Sequence, residues 1–404
     1  MTTPLLPLDG ITVVALEQAV AAPLATRHLA DLGARVIKLE RVGEGDFARN
    51  YDTAVMGLAS HFVWLNRGKE SVALDLKDPD GLALARELIA GADVFVQNNA
   101  PGAVARLGLD PEELVKEHPR LVAASISGYG TDGPLRDRKA YDMLIQAESG
   151  LVSVTGTPDT ATKTGVPSAD IAAGLYTAQA VLAALFRRER TGEGGVVDIS
   201  MFDSTVEWLG HPLYMHLYGG IQIPRMGLSH ASIAPYDSYP TSDGQILIGV
   251  QNDRGWRALV THVLDLPDLA DHPDFSTNPQ RVANRAEVDR IVAEATSGLS
   301  TAELDERLAE AGVAAAQVND MAGLAKHPQL SERDRWRSVD TPAGPVDAVL
   351  PPTTFRDVEL PMGAVPALGE HTGAILTELG RDAVDIAKLA ASGVVGGAGL
   401  ADDA

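Results

Sequence analysis

The nucleophiles this chain offers are carboxylates, not thiols. None of its 404 residues is cysteine, which excludes disulfides, thiolate catalysis and thiolate metal sites. Asp170 is the most informative acid. It follows a Gly/Pro loop, Gly165-Val-Pro-Ser-Ala169, and opens a helical stretch with an apolar stripe at Ile171, Leu175, Ala178, Leu182 and Leu185. Two readings fit that position. Asp170 is a helix cap, or it is an ionised nucleophile favoured by the positive end of the helix. Position alone does not separate them.

Cations are few, 33 against 55 acids. Arg41, Lys77, Arg106 and Lys139 lie just after expected strands or in loops, where a doubly wound sheet binds its ligands, so they can hold phosphates. Solvated surface charge is the other reading. The histidines argue against a metal. His211 and His216 are five apart without an HExxH spacing, and His61, His230 and His262 are isolated. His230 stands out because its loop is rich in Gly and Pro and lies at an expected domain boundary. A Walker loop and a GxSxG elbow are both missing. Glu40 ends a strand where an acid can bind a ribose, but the first turn, Leu16-Glu-Gln-Ala-Val-Ala-Ala22, has no glycine, which disfavours a nicotinamide cofactor.

The elements that must carry these residues alternate. Ile11 to Leu16, Arg35 to Glu40, Val94 to Gln97 and Leu121 to Ile126 read as buried strands. Helices are expected from Pro23 to Gly33, near Gly81–Ala90 and near Pro111–Glu117. This is an α/β fold with a Rossmann-like doubly wound domain. Asp170 to Arg188 is a helix, followed by a strand Gly195–Met201 and a helix Phe202–Tyr218. A break at Gly219-Gly220-Ile-Gln-Ile-Pro224 places a boundary near 220. Residues 221–325 read as a smaller α+β domain, with a strand Gln245–Val250 and helices Arg254–Leu264, Val288–Ala295 and Thr301–Ala311. From Lys326 the pattern returns to short strands and a helix Thr372–Leu379, and the Gly/Ala-rich tail from about 390 is expected to be mobile.

The net charge of −22 argues against nucleic acid and against an anionic membrane surface. The opening residues lack a signal-peptide pattern, and unbroken apolar runs fall short of the roughly 18–20 residues of a membrane span. A soluble cytoplasmic protein is expected.

Taken together, several segments resemble the class III CoA-transferases, the family of formyl-CoA transferase, carnitine CoA-transferase and α-methylacyl-CoA racemase. They are Leu8-Asp-Gly-Ile11, Leu32-Gly-Ala-Arg-Val-Ile-Lys-Leu-Glu-Arg41, Gly45-Asp46, Asn66-Arg-Gly-Lys-Glu-Ser71 with Leu74-Asp-Leu-Lys77, Asn98-Asn-Ala-Pro-Gly102, Ser127-Gly-Tyr-Gly130 with Gly133-Pro134, and Gly369-Glu-His-Thr372. The resemblance runs from about Leu8 to Leu379. It implies an interlocked homodimer whose large domain is built from both termini. It also makes Asp170 the nucleophile, which sets aside the cap reading. Coenzyme A and acyl-CoA are then substrates, with carboxylic acids as partners, and no metal or resident cofactor is needed.

The resemblance implies phosphate and adenine contacts at Arg41, Lys77, Arg106 and Lys139. It implies backbone and pantetheine contacts at Gln18, Ala19, Leu74, Asn98 and Asn99. Gly128 and Gly130 are candidate oxyanion donors. The racemase branch carries a Gly-His-Asp segment where this chain has Lys139-Ala-Tyr141-Asp142, which disfavours racemisation. The formyl-CoA branch carries a glycine run followed by glutamine, approached here only by Gly219-Gly220. The segments Tyr141-Asp-Met-Leu-Ile-Gln-Ala-Glu148, Ser153-Val-Thr-Gly156 and Ser168-Ala-Asp-Ile171 look closest to the dicarboxylate branch, which takes itaconate, mesaconate, citramalate or malate with succinyl-CoA. Intramolecular transfer within one mesaconyl skeleton is the alternative. Tyr141 and His230 are further substrate candidates, and Arg49 is the expected cation for the distal carboxylate.

Overall fold

Alternation along the strands builds the first layer of the fold. In the strand β1 (Thr12–Leu16), Val13 and Ala15 join one buried layer and Val14 and Leu16 the other. A strand covered on both faces needs apolar residues at nearly every position, as in a parallel sheet. The structure, a computed structural model, describes residues 5–398 and 400. Its main sheet has seven strands in the order β12-β3-β2-β1-β4-β5-β6. They are β2 (Arg35–Glu40), β3 (Lys69–Leu74), β4 (Val94–Gln97), β5 (Val122–Ser127), β6 (Gly195–Ser200) and β12 (Val395–Gly396) around β1. All neighbours are parallel except β12, which runs antiparallel to β3. The strand order reverses between β1 and β4, the switch point where such sheets open a crevice.

Helices cover both faces. They include α1 (Ala21–Asp31), α2 (Ser60–Asn66), α3 (Pro79–Ala90), α4 (Ala103–Arg106), α5 (Pro111–Glu117), α6 (Asp142–Glu148), α7 (Ser168–Thr191) and α8 (Met201–Trp208). The helix α7 packs against α1 so closely that a Cβ at Gly174 would lie 2.7 Å from the Ala21 carbonyl oxygen. That approach selects small residues, and the buried face of α7 runs through Ala169, Ala173, Thr177, Val181 and Leu185. The expected stripe is therefore only partly right: Ala178 and Leu185 are buried, but Leu175 and Leu182 are exposed. Among the described residues, α7 alone is long and apolar enough to cross a membrane. Its buried face and the ion pair from Arg188 to Asp93, at 2.9 Å, make it a core helix here.

The chain divides into two compact units. The first holds residues up to Leu151, Thr164–Gly210 and Asp334 onward. The second holds Val152–Lys163 and His211–Arg333. The crossing points thus lie after Gly210 and before Asp334, not near 220 and 326, and the short excursion Val152–Lys163 had no sequence signal. The expected helix Phe202–Tyr218 is two helices, because Gly210 and Pro212 interrupt its ladder. The second unit has its own core around a three-stranded antiparallel sheet, β7 (Tyr236–Pro240), β8 (Gln245–Gly249) and β9 (Ala314–Gln317). There Arg281 donates to the Ala234 and Phe275 carbonyls and to Asp253, with its guanidinium 5.4 Å from the Trp256 ring centre.

Two further expectations change. The strand β3 was hidden by its charged start, Lys69-Glu70. Lys69 is buried because Glu17 meets it at 2.6 Å, a partner that no local pattern reveals. After an antiparallel pair, β10 (Trp336–Val339) and β11 (Val346–Val349), the tail is ordered as far as it is described: a helix Ala383–Ala391 leads into β12, and Val395 pairs with Leu74. Residues 399 and 401–404 lie outside the described residues.

Candidate active site

The carboxyl edge of the sheet is held by buried ions. Lys38 of β2 reaches Asp46 at 2.8 Å and Glu17 at 3.3 Å, and all three side chains are fully buried. Glu17 also meets Lys69 at 2.6 Å and accepts from the Thr26 hydroxyl at 2.6 Å. Beside them Glu40 takes two hydrogen bonds from Arg49, at 2.9 and 2.6 Å, and one from the Ser71 hydroxyl at 2.7 Å. Burial alone would raise the Glu40 carboxyl, but Arg49, Lys38 and Ser71 outweigh it and pull it down to about 2. Three acids and three cations thus neutralise one another.

This cluster shapes the turn after β1. Ala19 has φ +64°, an unusual angle for a residue with a Cβ. Its N–H is held at 3.1 Å by Asp46, whose same oxygen accepts from Ala48 at 2.9 Å. On the other side of the switch point, Asn98 exchanges two hydrogen bonds with the Gln18 backbone, at 2.9 and 2.8 Å, and Asn99 donates to the Leu16 carbonyl at 3.0 Å. Ala19 and Val20 then pack with Ile171 in the first turn of α7.

Asp170 stands in that same turn. It is not the cap of its own helix. Pro167 occupies the cap position and has no side-chain acceptor, and Asp142 of α6 takes that role from outside, accepting from the N–H groups of Ala169 at 2.8 Å and Asp170 at 3.3 Å. Burial, and then the Asp142 charge, push the Asp170 carboxyl up to about 7. Burial, and then the charges of Asp46 and Asp170, hold the Tyr51 hydroxyl up to about 12.

Gln18, Ala19, Asn98 and Asn99 therefore gather at the switch point, and Tyr141 lies beside Asp142, two-thirds exposed. Leu74 has its side chain in the core. Arg41, Lys77, Arg106 and Lys139 are exposed in the loops and the short helix that follow the strands. Arg49 is a correction. Its guanidinium is engaged by Glu40, by the Pro366 carbonyl at 3.3 Å and by the face of Phe62 at 3.7 Å, so it is not free to meet a distal carboxylate. Gly130 is another, since its N–H already donates to the Ser127 hydroxyl at 3.0 Å. Gly128 is needed for space: a Cβ there would lie 2.2 Å from that of Ala140. His230 belongs to the second unit, where it stacks on Tyr236 at 5.3 Å and accepts from the Ser232 N–H at 3.1 Å.

A half-buried carboxylate of raised pKa, at a helix start on the open edge of a parallel sheet, suits acyl transfer through an acid anhydride. The sequence model described as CoA-transferase family III matches residues 8–372. The chain belongs to that family. It is therefore an enzyme that transfers coenzyme A. It is 35% identical over 395 residues to the human succinyl-CoA:glutarate CoA-transferase, covering 96% of this chain and 90% of that one. It is 33% identical to the succinyl-CoA:mesaconate CoA-transferase of Haloarcula hispanica, covering 92% and 96%. A solved CAIB/BAIF family protein from Brucella suis superposes with a TM-score of 0.81 at 38% identity, covering 93% of this chain and 99% of that one.

Sequence reasoning about this CoA-transferase passed over Glu17, Lys38, Lys69, Asp142 and Gln146 as parts of the site. Asp46 and Asp142 stood inside the quoted family segments, a signal that was available. Lys38 and Lys69 stood inside those segments too, but a lysine in a strand reads as an edge or surface residue until its partner is known.

Proposed function

We propose that this CoA-transferase moves coenzyme A from succinyl-CoA to a C4–C5 dicarboxylate, such as glutarate, mesaconate, itaconate, citramalate or malate, with Asp170 as nucleophile. The observation that carries the nucleophile is the place of Asp170: a half-buried carboxylate in the first turn of α7, packed beside the turn after β1, with Asp142 taking the amides it would otherwise cap. The substrates of the two named relatives support the donor and the acceptor class.

The ionised Asp170 attacks the thioester carbonyl. The C–S bond breaks, the CoA thiolate leaves and a mixed anhydride forms. The thiolate adds to the aspartyl carbonyl, the anhydride C–O bond breaks, and the donor acid departs as its carboxylate. The acceptor carboxylate then attacks the aspartyl thioester and releases the thiolate. That thiolate takes the new acyl group and returns Asp170. Charge balances at each step without a net proton. A carboxylate of raised basicity is the better nucleophile, and water must be kept from every intermediate. In this reading the exposed Arg41, Lys77, Arg106 and Lys139 hold the CoA phosphates. The interlocked homodimer that the family resemblance implies would give the exposed Leu175, Leu182 and Phe186 of α7 a cover, which a lone chain lacks.

The test is CoA exchange read by mass spectrometry. Succinyl-CoA is offered with each acid in turn, including oxalate and formate, to wild type and to Asp170→Ala. A new acyl-CoA from a C4–C5 diacid, lost in the variant, supports the reading. Exchange with oxalate or formate alone defeats the acceptor class. Full exchange by Asp170→Ala defeats the nucleophile.

A further inference from the structure

The segment that presents Asp170 is clasped by side chains with no part in the chemistry above. Asp142 Oδ1 accepts from the Ala169 and Asp170 N–H groups, while Oδ2 accepts from Gln146 Nε2 at 2.7 Å. Gln146 is fully buried one turn further along α6, and its Oε1 accepts from the Thr164 N–H at 3.0 Å and the Thr164 hydroxyl at 3.1 Å. That hydroxyl lies 2.8 Å from Ser168 Oγ and 2.8 Å from the Val166 carbonyl. The chain Asp142–Gln146–Thr164–Ser168 thus closes around the loop before α7. Its far end is fixed too: Ala140 packs against Gly128 at a distance no side chain would permit.

We infer that Asp142 is a positioning residue for the transfer: it caps the nucleophile's helix from a neighbouring helix, and Gln146 locks that cap to the loop that delivers Asp170. This inference rests on the reading of Asp170 as nucleophile. Its physical content is twofold. The first-turn amides of a helix stabilise an anion, and a carboxylate placed on them would ordinarily be Asp170 itself. Asp142 occupies them instead. Asp170 is thereby left without those donors and beside a like charge, which keeps it basic. The clasp also fixes where its oxygens point, and a displacement of about 1 Å can cost about a hundredfold in rate. The titratable groups facing Asp170 are Asp142 from α6 and Tyr51 from the segment before α2. From α1 and α2 the contacts on this turn are the apolar Val20, Leu24 and Leu65.

The experiment compares Asp142→Asn, Asp142→Ala, Gln146→Met and Asp170→Asn with wild type, using succinyl-CoA and the best acceptor from the exchange assay. Rates are measured from pH 5 to 9. Hydroxylamine trapping followed by peptide mass spectrometry reports whether the acyl group reaches residue 170. Asp142→Asn keeps the accepting oxygen but drops the charge, so the acidic limb of kcat/KM should move down by about one pH unit. Gln146→Met keeps the charge but frees it, so kcat should fall about tenfold with the limb unmoved. Asp142→Ala should lose about 10- to 100-fold in kcat with the KM for acyl-CoA little changed. If Asp142→Ala does not fold, the other two variants decide. Limbs superposing on wild type in Asp142→Asn, with kcat within twofold in it and in Gln146→Met, would overturn the inference, leaving a cap of structural value only. Full activity and no trapped adduct at residue 170 in Asp170→Asn would instead overturn the nucleophile, a different failure.

Discussion

Two groups of acids in this molecule, one fully buried and one half-buried, behave in opposite ways. Glu17, Glu40 and Asp46 sit among Lys38, Lys69 and Arg49, each acid meeting a cation. Asp170 instead stands beside a like charge, Asp142, and is pushed up to about 7. Burial raises a carboxyl in either place, as it does for both Glu40 and Asp170, and the partners decide the sign. The matched group is a scaffold that holds the Ala19 turn, with its Glu40 carboxyl held down to about 2. The unmatched pair keeps one carboxylate basic, where a proton can come and go near neutrality.

The contrast can be broken from either side. Replacing Asp170 with Asn should abolish CoA exchange, a loss on the order of a thousandfold or more, with the fold intact by circular dichroism. Arg49→Ala should act in the reverse manner. It leaves Glu40 buried without its cation, so the denaturation midpoint should fall by an amount corresponding to about 3–5 kcal/mol, while the acceptor KM of the remaining folded enzyme stays near wild type. A large KM effect with unchanged stability would return Arg49 to the substrate. Gly128→Ala forces Ala140 away and should cost about 1–3 kcal/mol, with a loss of kcat because Asp142 follows Ala140 in the chain.

The smallest effect sharpens the comparison by pH. The Glu40 carboxyl lies below its ordinary value, so its contribution is present above about 4.5 and is lost as pH falls toward about 2. The Asp170 carboxyl lies above its ordinary 3.8. The folded state therefore holds the proton longer than the unfolded chain, and stability declines as pH rises from about 4 to about 7. Asp170→Asn should remove that decline and melt at a higher temperature than wild type at pH 8. Equal melting temperatures of the two proteins at pH 5 and pH 8 would refute it. The same titration predicts that kcat/KM rises through pH 7 as the nucleophile ionises.

Much of this was legible in the residues. The strands β1, β2, β4 and β5 announce themselves because a layer covered on both faces needs unbroken apolar runs. The family segments led to Asp170, and the cations after the strands lie on the edge expected of them. What stayed hidden depends on long-range pairing. The strand β3 opens with a lysine whose partner is fifty-two positions away in the chain, in the turn after β1. Arg49 read as an available cation because Glu40, Phe62 and Pro366 converge on it only in the fold. The exposed Leu175 and Leu182 defeated the helical stripe, since close packing against α1 chose the small residues of α7 for the inside.

The sequence by itself determined the α/β alternation and the absence of cysteine chemistry, because those follow from residue types and from spacing within single elements, and its family segments singled out Asp170 as the candidate nucleophile. Tertiary structure alone decided which charges are matched and which are left basic. Charge pairing in a low-dielectric interior depends on distances between side chains from different strands and helices, and a few ångströms separate a neutralised scaffold from a reactive carboxylate.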